Sequence, residues 1–429
     1  MTERYKNSEE FLGRALQVIP LGSQTFSKSK TALPFGVSPY FVERAKGSRM
    51  WDMDGNEYLD FVSALCCVTL GYGDSDVDAA VRAQMDNGVT FSLPHRLETE
   101  VAELLVEMIP CAEKVRFAKN GTDATSGAIR VARAHTGRNR VAVCGYHGWQ
   151  DWYIGTTLRD LGVPQAVKEL THTFSFNDIG SLRRLLNTHP GEFAAVILEP
   201  MNATYPKDGF LEKVLSATHQ HGALLIFDET ITGFRYATGG AQEEFGVTPD
   251  LATFGKGIAN GYPLSALVGK SEYMKVVEDI FFSGTFGGET LSLAAAKAVL
   301  TKLKHEPVIQ TMRSRGQSII DGVHQLIAAL GLEQIVSIGG HPSWSFLTFR
   351  ENASFSPAEI KTLFIQEVFK RGVYVLGTHN LSYAHSEADV KQLLECYREV
   401  FGVIARGLSD GTLRNLLECE PLVPLFKVR

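Results

Sequence analysis

The feature that most constrains the fold is a series of short, continuous apolar segments, each ending in a polar or charged residue. "KVRFAKN" and "RVAVCGYHG" are followed along the chain by "AAVILEP", "ALLIFDE" and "LATFGK". Unbroken runs of Val, Ile, Leu and Phe that alternate with helical patterns are typical of parallel strands covered on both faces. The sequence therefore predicts an α/β protein built on a largely parallel sheet.

The distribution of these segments predicts two domains. The 429 residues suffice for one large domain and a smaller one. The alternating segments occupy residues 61–310, which we expect to form the large domain. Residues 1–60 and residues 311–429, with extended segments and amphipathic helical patterns, are expected to form a smaller α+β domain.

Composition excludes several classes of partner. The net charge of −6 provides no electrostatic attraction for nucleic acid or for an anionic membrane. The first residues are polar, and the apolar runs are too short to span a bilayer. Six cysteines are scattered without metal-ligand or disulfide spacing. We therefore expect a cytoplasmic protein without a metal, a membrane partner or a nucleic-acid partner.

Unusual residues follow the predicted strands. In open parallel sheets, ligand-binding groups collect beyond the carboxyl ends of the strands. At those positions stand Asn120, Tyr146, Glu199, Asp228 and Lys256. The sequence thus predicts a site at one edge of the sheet.

Lys256 stands between two glycines in "FGKGIANG". A lysine in a turn most often extends its stem so that the amine reaches water. Here the neighbours are largely apolar, and an amine shielded from water can be neutral and attack a carbonyl group. The flanking glycines would let a bulky ligand approach the backbone. The pattern favours a lysine that forms a Schiff base.

Asp228 ends the apolar run "LLIFD". A buried carboxylate needs a positive partner. That partner is either a Lys or Arg in a structural pair, or the protonated nitrogen of a pyridine ring. Taken alone, Asp228 leaves both interpretations open.

Three further positions suggest a phosphorylated aromatic ligand. Gly121 and Thr122 open a helix in "KNGTDAT", as a plain helix cap or as a phosphate seat. Thr285, between glycines, is a second phosphate donor or part of a turn. Tyr146 either stacks on a flat ring or packs in the core. Together with Lys256 and Asp228, this combination indicates pyridoxal phosphate (PLP).

These motifs carry a family resemblance that covers nearly the whole chain. With "FDETITGFR", "TFGKGIANGYPLSALVG" and "GTFGGETLSLAAA", the sequence resembles the class III (ω) aminotransferases of PLP fold type I. It is most similar to their glutamate-1-semialdehyde aminomutase-like branch. The resemblance implies a mostly parallel, seven-stranded central sheet flanked by helices. It also implies a homodimer with active sites shared between the subunits.

The resemblance assigns roles to the motif residues. Lys256 would carry PLP, Asp228 would pair with the pyridine nitrogen, and Tyr146 would stack on the ring. Gly121 and Thr122 would hold the phosphate, and Thr285 would reach the phosphate of the other subunit's cofactor.

Three further residues follow from the same resemblance, with departures. Glu199, in "ILEP", stands where the family often keeps an acidic residue. Thr230 replaces the branched apolar side chain that usually lies against the second ring face. Asn202 or Thr204 would have to serve the phenolic oxygen of the cofactor.

The substrate pocket departs from the aminomutases. In "QTFSKSK", Thr25 and Lys28 stand near the places of a serine and an arginine that bind the substrate carboxylate. Leu65 replaces a tryptophan. We infer that glutamate-1-semialdehyde is not the substrate.

A looser resemblance concerns enzymes of cell-surface and antibiotic sugar biosynthesis, through "QTFSKS", "FSLPH" and "GYHGWQDWYIGTT". It indicates amination of a carbonyl group on a sugar or nucleotide-linked sugar. Candidate pocket residues are Trp149, Trp152, His95 and His379, each of which is equally well explained as a packed side chain.

The leading prediction is a PLP-dependent aminotransferase that moves an amino group from an amino acid, expected to be glutamate, to a carbonyl substrate. One alternative is a 2,1-aminomutase acting on glutamate-1-semialdehyde. Another is a protein of the same fold that only binds or regulates, against which the intact Lys256 and Asp228 argue.

Overall fold

The computed structural model describes residues 3–423. Within that range, no helix combines the length and the apolar character that a membrane crossing needs. The chain packs into two compact units, each made of non-contiguous segments: a larger unit from residues 66–69 and 75–309, and a smaller unit from residues 3–65, 70–74 and 310–423. The expected domain boundaries after residues 60 and 310 stay a prediction.

Helices occur throughout the described chain. Most are right-handed, and α2 is a short left-handed turn. In chain order they are α1 (Lys6–Val18), α2 (Ser63–Cys66), α3 (Ser75–Met85), α4 (Arg96–Met108), α5 (Gly121–Thr136), α6 (Asp151–Ile154), α7 (Gln165–Lys168), α8 (Ile179–Thr188), α9 (Phe210–Gln220), α10 (Ala241–Phe245), α11 (Ser271–Met274), α12 (Thr290–His305), α13 (Val308–Ala329), α14 (Pro357–Lys370) and α15 (Glu387–Ser409).

The strands form three sheets. In chain order they are β1 (Val42–Lys46), β2 (Arg49–Asp52), β3 (Glu57–Asp60), β4 (Lys114–Ala118), β5 (Arg140–Cys144), β6 (Thr171–Thr173), β7 (Phe193–Leu198), β8 (Leu224–Asp228), β9 (Leu251–Phe254), β10 (Ser265–Gly269), β11 (Val336–His341), β12 (Trp344–Phe349), β13 (Val373–Tyr374) and β14 (Thr378–Asn380).

The larger unit is organised around a seven-stranded sheet of order β4-β10-β9-β8-β7-β5-β6. Neighbouring strands from β9 to β6 run parallel, whereas β10 is antiparallel to both β9 and β4. Because two reversals cancel, β4 points the same way as the parallel strands. The carboxyl ends of six strands therefore lie at one edge, and the predicted α/β class with a mostly parallel seven-stranded sheet is confirmed.

The sheet is buried, which explains the unbroken apolar runs. Every residue of β7, β8, β9 and β10 is buried. Helix α5 packs Ala128, Ile129 and Ala132 into the same core cluster as Ile197 and Ile226 of the sheet. Burying each large aliphatic side chain contributes about 1.5–3 kcal/mol. A strand with alternating apolar and polar residues would place polar side chains in this core. The continuous apolar runs are therefore what burial on both faces requires.

The smaller unit is α+β, as predicted. Strands β1, β2, β3 and β13 form one sheet, and β11, β12 and β14 form another. The "DMDGNEY" segment makes the turn between the antiparallel strands β2 and β3. Ser356 caps α14 and Ser386 caps α15, each by accepting a hydrogen bond from a backbone N–H three residues on.

Candidate active site

The carboxyl edge of the seven-stranded sheet brings together side chains from distant parts of the sequence. Strands β5, β7 and β8 end at Cys144, Leu198 and Asp228, and the loops that follow carry polar and aromatic residues. We call the following set the sheet rim: Gly121, Thr122, Tyr146, His147, Glu199, Asp228, Thr230 and Lys256.

Lys256 occupies a strained backbone position. Its φ of 42° lies in the left-handed region, which non-glycine residues rarely adopt. It begins a short 3₁₀ turn, Lys256–Ala259, directly after β9. The next residue must be glycine, because a Cβ at Gly257 would overlap with Thr69 Oγ1. Among the residues that the structure describes, the amine of Lys256 makes no hydrogen bond or ion pair and stays available for chemistry.

Asp228 is buried at the end of β8, with 5% of its surface exposed. Its Oδ2 is 2.9 Å from His147 Nδ1. Its Oδ1 accepts from the backbone N–H of Thr230 at 3.1 Å and from the Thr253 hydroxyl at 3.2 Å. Burial alone would raise the pKa of this carboxyl, but the hydrogen bond and charge of His147 outweigh burial and lower it. The carboxylate is therefore ionised at neutral pH.

His147 is the residue that the sequence reasoning missed. The expected structural partner of Asp228 was a Lys or Arg, whereas the structure places a buried histidine there. Its ring lies parallel to that of Trp152, with an interplanar angle of 13°. A signal was present, because His147 directly follows Tyr146 beyond a strand end, where polar groups converge.

Glu199 is the second buried carboxyl of the sheet rim. Its Oε2 accepts from the backbone N–H of Tyr146 at 3.0 Å and from the side-chain amide of Asn202 at 3.2 Å. Burial, and then the negative charge of Asp228, raise its pKa. The two carboxyls of the rim thus shift in opposite directions, so Asp228 is the one suited to hold a cation.

The start of α5 provides donors for an anion. Asn120, and not Thr122, is the cap, and its own N–H donates to the Asp123 carboxylate at 2.8 Å. The N–H groups of Gly121 and Thr122, as the first of the helix, have no carbonyl partner inside it. A Cβ at Gly148 would overlap with Thr122 Oγ1, so this glycine lets the loop after β5 close on the helix start.

Thr230 lies beneath the same region. A Cβ built on Gly121 would be 3.0 Å from its methyl carbon and 3.2 Å from its hydroxyl oxygen. A Cβ on Gly255 would lie 3.3 Å from the same methyl carbon. Tyr146, half exposed, extends from the loop after β5. The two glycines therefore let the helix start and the segment before the lysine pack closely around Thr230.

Thr285 lies close to the first turn of α5, since it lines the same cavity as Asp123. It lines a cavity of about 360 Å³ together with Lys119, Arg130 and the exposed Phe281. In the described chain, no hydrogen bond joins Thr285 to Gly121 or Thr122. Its role towards a second subunit's cofactor stays a prediction.

Three of the four candidate pocket residues make hydrogen bonds within the chain. Trp152 is buried and donates from its indole to Ser126 Oγ at 2.9 Å. His95 caps α4 through its ring nitrogen. His379 is buried in the smaller unit, to which Thr25, Lys28 and Leu65 also belong. Only Trp149, with 68% of its surface exposed, is open to a ligand.

The sheet rim leaves three buried polar atoms without a partner in the described chain: Thr122 Oγ1, His147 Nε2 and Thr230 Oγ1. An unpaired buried polar group costs free energy, so such a cluster is typical of a site that a ligand completes. The rim also offers an ionised carboxylate, an exposed aromatic ring, free helix N–H groups and an amine. These groups match the pyridine nitrogen, ring, phosphate and aldehyde of PLP, so the residues fit the cofactor.

Comparisons with known proteins agree with this geometry. Residues 33–388 match the family model described as aminotransferase class-III. The chain is 34% identical over 420 residues to 3-aminobutyryl-CoA aminotransferase of Cloacimonas acidaminovorans (strain Evry), covering 95% of this chain and 100% of that protein. It is 35% identical over 410 residues to glutamate-1-semialdehyde 2,1-aminomutase of Syntrophobacter fumaroxidans, covering 89% and 94%. Among solved structures, the PLP form of the FumI protein of Sphingopyxis sp. MTA144 superposes with a TM-score of 0.88 at 31% identity, covering 97% and 99%.

Proposed function

Because this chain belongs to the class-III aminotransferases, which use PLP, we propose that it transfers an amino group from glutamate to the carbonyl group of a second substrate. Its architecture is PLP fold type I, shared with FumI over 97% of the chain. The observation that carries the proposal is the sheet rim, where an ionised, histidine-supported carboxylate ends β8 and Lys256, whose amine has no partner in the described chain, follows the adjacent strand β9.

PLP, when bound, supplies an electrophilic carbon and an electron-withdrawing pyridine ring. The chain's own residues would bind it and handle the protons. The N–H groups of Gly121 and Thr122 and the Thr122 hydroxyl would hold the phosphate, which keeps the reacting carbon in place. Tyr146 would cover one face of the ring and Thr230 the other. Glu199 and Asn202 would fix the loop that carries Tyr146.

Two side chains would carry the chemistry. Asp228 would bind the pyridine nitrogen and keep its proton there, because the carboxylate is ionised at neutral pH. Nζ of Lys256 would first hold the cofactor and then, once free, move a proton at the carbon that gains or loses the amino group.

The acceptor is the least constrained part of the proposal. The sugar carbonyl expected from the sequence finds no support in the relatives described above. The name of the Cloacimonas relative instead favours an acyl compound whose carbonyl lies at carbon 3. The Syntrophobacter relative keeps the aminomutase alternative in view.

We further propose a homodimer in which Thr285 reaches the partner's cofactor. The loop that carries Thr285 exposes Phe281 and Phe286, with 84% and 58% of their surfaces accessible. Apolar side chains exposed to this extent on one loop are typical of an interface. Sedimentation should show a dimer. A monomeric, fully active enzyme would contradict the shared site.

Half-reaction experiments test the proposed function. Glutamate added to the PLP-loaded protein should release 2-oxoglutarate in one equivalent per site. The aminated protein should then transfer its amino group to a 3-oxoacyl thioester, a nucleotide-linked keto sugar or another carbonyl compound. The compound that accepts the amino group identifies the acceptor class. No release of 2-oxoglutarate would contradict glutamate as donor, and isomerisation of glutamate-1-semialdehyde without release would favour the aminomutase.

A further inference from the structure

Thr230 carries a hydroxyl that the fold itself does not use. Its Oγ1 is buried and has no hydrogen-bond partner in the described chain, although the backbone N–H of the same residue is bound to Asp228. A buried hydroxyl left unpaired destabilises a protein, whereas valine, of the same shape, would carry no such cost. The hydroxyl therefore indicates a partner that arrives from outside the chain.

The orientation of the side chain shows where that partner would lie. At the start of α5, the position of a Cβ on Gly121 is 3.2 Å from the hydroxyl oxygen and 3.0 Å from the methyl carbon. On the side of Gly255, which precedes the lysine, the Thr230 atom nearest to a Cβ position is the methyl carbon, at 3.3 Å. The hydroxyl oxygen therefore lies closer to the Cβ position on Gly121 than to that on Gly255, whereas the methyl carbon lies close to both.

One competing partner exists within the chain. The Thr230 hydroxyl is close enough to Asp228 to favour the ionised form of that carboxyl, although it makes no hydrogen bond to it. Asp228 already accepts from His147, from Thr253 and from the Thr230 backbone. A fourth donor is not needed there, whereas the helix start offers N–H groups around a place for an anion.

We propose that the Thr230 hydroxyl donates a hydrogen bond to the phosphate group of bound PLP, alongside Thr122 and the first N–H groups of α5. This inference rests on the proposed function, in which the sheet rim holds PLP. It gives Thr230 a binding role, in addition to covering one face of the ring.

Equilibrium binding to the cofactor-free protein tests the proposal, with PLP and with pyridoxal, which lacks the phosphate. Thr230→Val should weaken PLP binding about tenfold, because hydrogen bonds to charged groups are the strong ones. Pyridoxal binding should stay within about twofold of the wild type. Thr230→Ser, which keeps the hydroxyl, should retain most of the PLP affinity.

The matched control is Thr253→Val, which removes a hydroxyl that is bonded to Asp228 at 3.2 Å. Because Asp228 faces the pyridine nitrogen, this change should weaken PLP and pyridoxal by the same factor. The melting temperature of the cofactor-free protein should also distinguish Thr253→Val from Thr230→Val. It should fall in Thr253→Val and stay the same or rise in Thr230→Val, which loses only an unpaired hydroxyl.

Two results would overturn the proposal: unchanged PLP affinity in Thr230→Val, or equal losses for PLP and pyridoxal, which would assign the hydroxyl to Asp228. Should Thr230→Val fail to fold, Thr230→Ala and Thr230→Ser, which differ by one hydroxyl, provide the same comparison. If the wild type binds neither compound, the proposed function fails instead.

Discussion

His379 of the smaller unit and His147 of the larger unit are both buried, but they differ in how many of their ring nitrogens are hydrogen-bonded. In the smaller unit, His379 has both ring nitrogens in hydrogen bonds, Nδ1 with Ser345 Oγ at 2.9 Å and Nε2 with Tyr397 OH at 2.7 Å. In the larger unit, His147 binds Asp228 through Nδ1, whereas its Nε2 is buried without a partner in the described chain.

The difference separates a structural cluster from a site. The chain supplies a partner for each ring nitrogen of His379, so this histidine contributes to packing and needs no ligand. Around His147 the chain leaves polar atoms open, and the same is true of Thr122 and Thr230 in the sheet rim. Because an unpaired buried group is costly, open groups clustered at one sheet edge indicate a ligand. The following substitutions test this difference between the two histidines.

The largest effect is expected from Lys256→Ala. Removing the amine should lower turnover by about 10³-fold or more, because it eliminates both the attachment point and the proton carrier. PLP should still bind through the phosphate seat, without a bond that borohydride can reduce. Absorbance measures the bound PLP, and mass spectrometry after borohydride treatment shows whether PLP is attached to the protein. Turnover near the wild-type level would remove Lys256 from its proposed role.

Substitution of His147 should affect chemistry more than stability. His147→Phe removes the bond to Asp228 and should lower kcat about ten- to a hundredfold, as expected for a hydrogen bond to a charged group. His147→Asn, whose side-chain amide can take the place of Nδ1–H, should lose less. If both variants lose activity equally, the bond to Asp228 is not what matters.

His379 should instead make stability depend on pH. Burial, and then the charge of His385, lower its pKa from 6.5 to about 3. Between these values the unfolded chain binds the proton and the folded chain does not, so this stability is complete above pH 6.5 and is lost as pH falls. The loss from pH 7 to pH 5 should be about 2 kcal/mol.

Urea unfolding of the wild type and of His379→Gln at both pH values measures that contribution. The variant should be less stable at pH 7 and should lose less on acidification, while its PLP affinity stays unchanged. Parallel pH curves for the two proteins would exclude His379 as the source.

The smallest effect is expected from Ser345→Ala. It removes one of the two partners of His379 and should lower the free energy of unfolding by about 1–2 kcal/mol. PLP affinity and kcat should be unaffected, because Ser345, His379 and Tyr397 bind one another and are not part of the sheet rim. A drop in PLP affinity similar to that expected for Thr230→Val would undo the distinction between the two regions.

Much of the larger unit could be read from the sequence. The runs that end in Glu199, Asp228 and Lys256 are strands because only a sheet covered on both faces buries so many apolar residues in succession. A strand in such a sheet delivers its next residue to a known edge, so the convergence of these three residues was predictable. Sequence spacing could not show that Asp228 binds His147, because two strands and four helices lie between them in the chain.

The sequence by itself determined the α/β class, the sheet edge that carries the site and the residue types available there, because strand periodicity and burial are properties of short segments. Only the tertiary structure decided which polar atoms are satisfied. Both ring nitrogens of His379, proposed for a pocket, are bound by Ser345 and Tyr397, whereas His147, which the sequence reasoning missed, and Thr230 each keep a buried polar atom without a partner in the described chain. Whether a buried group has a partner depends on side chains brought together from distant segments, and no local pattern encodes that.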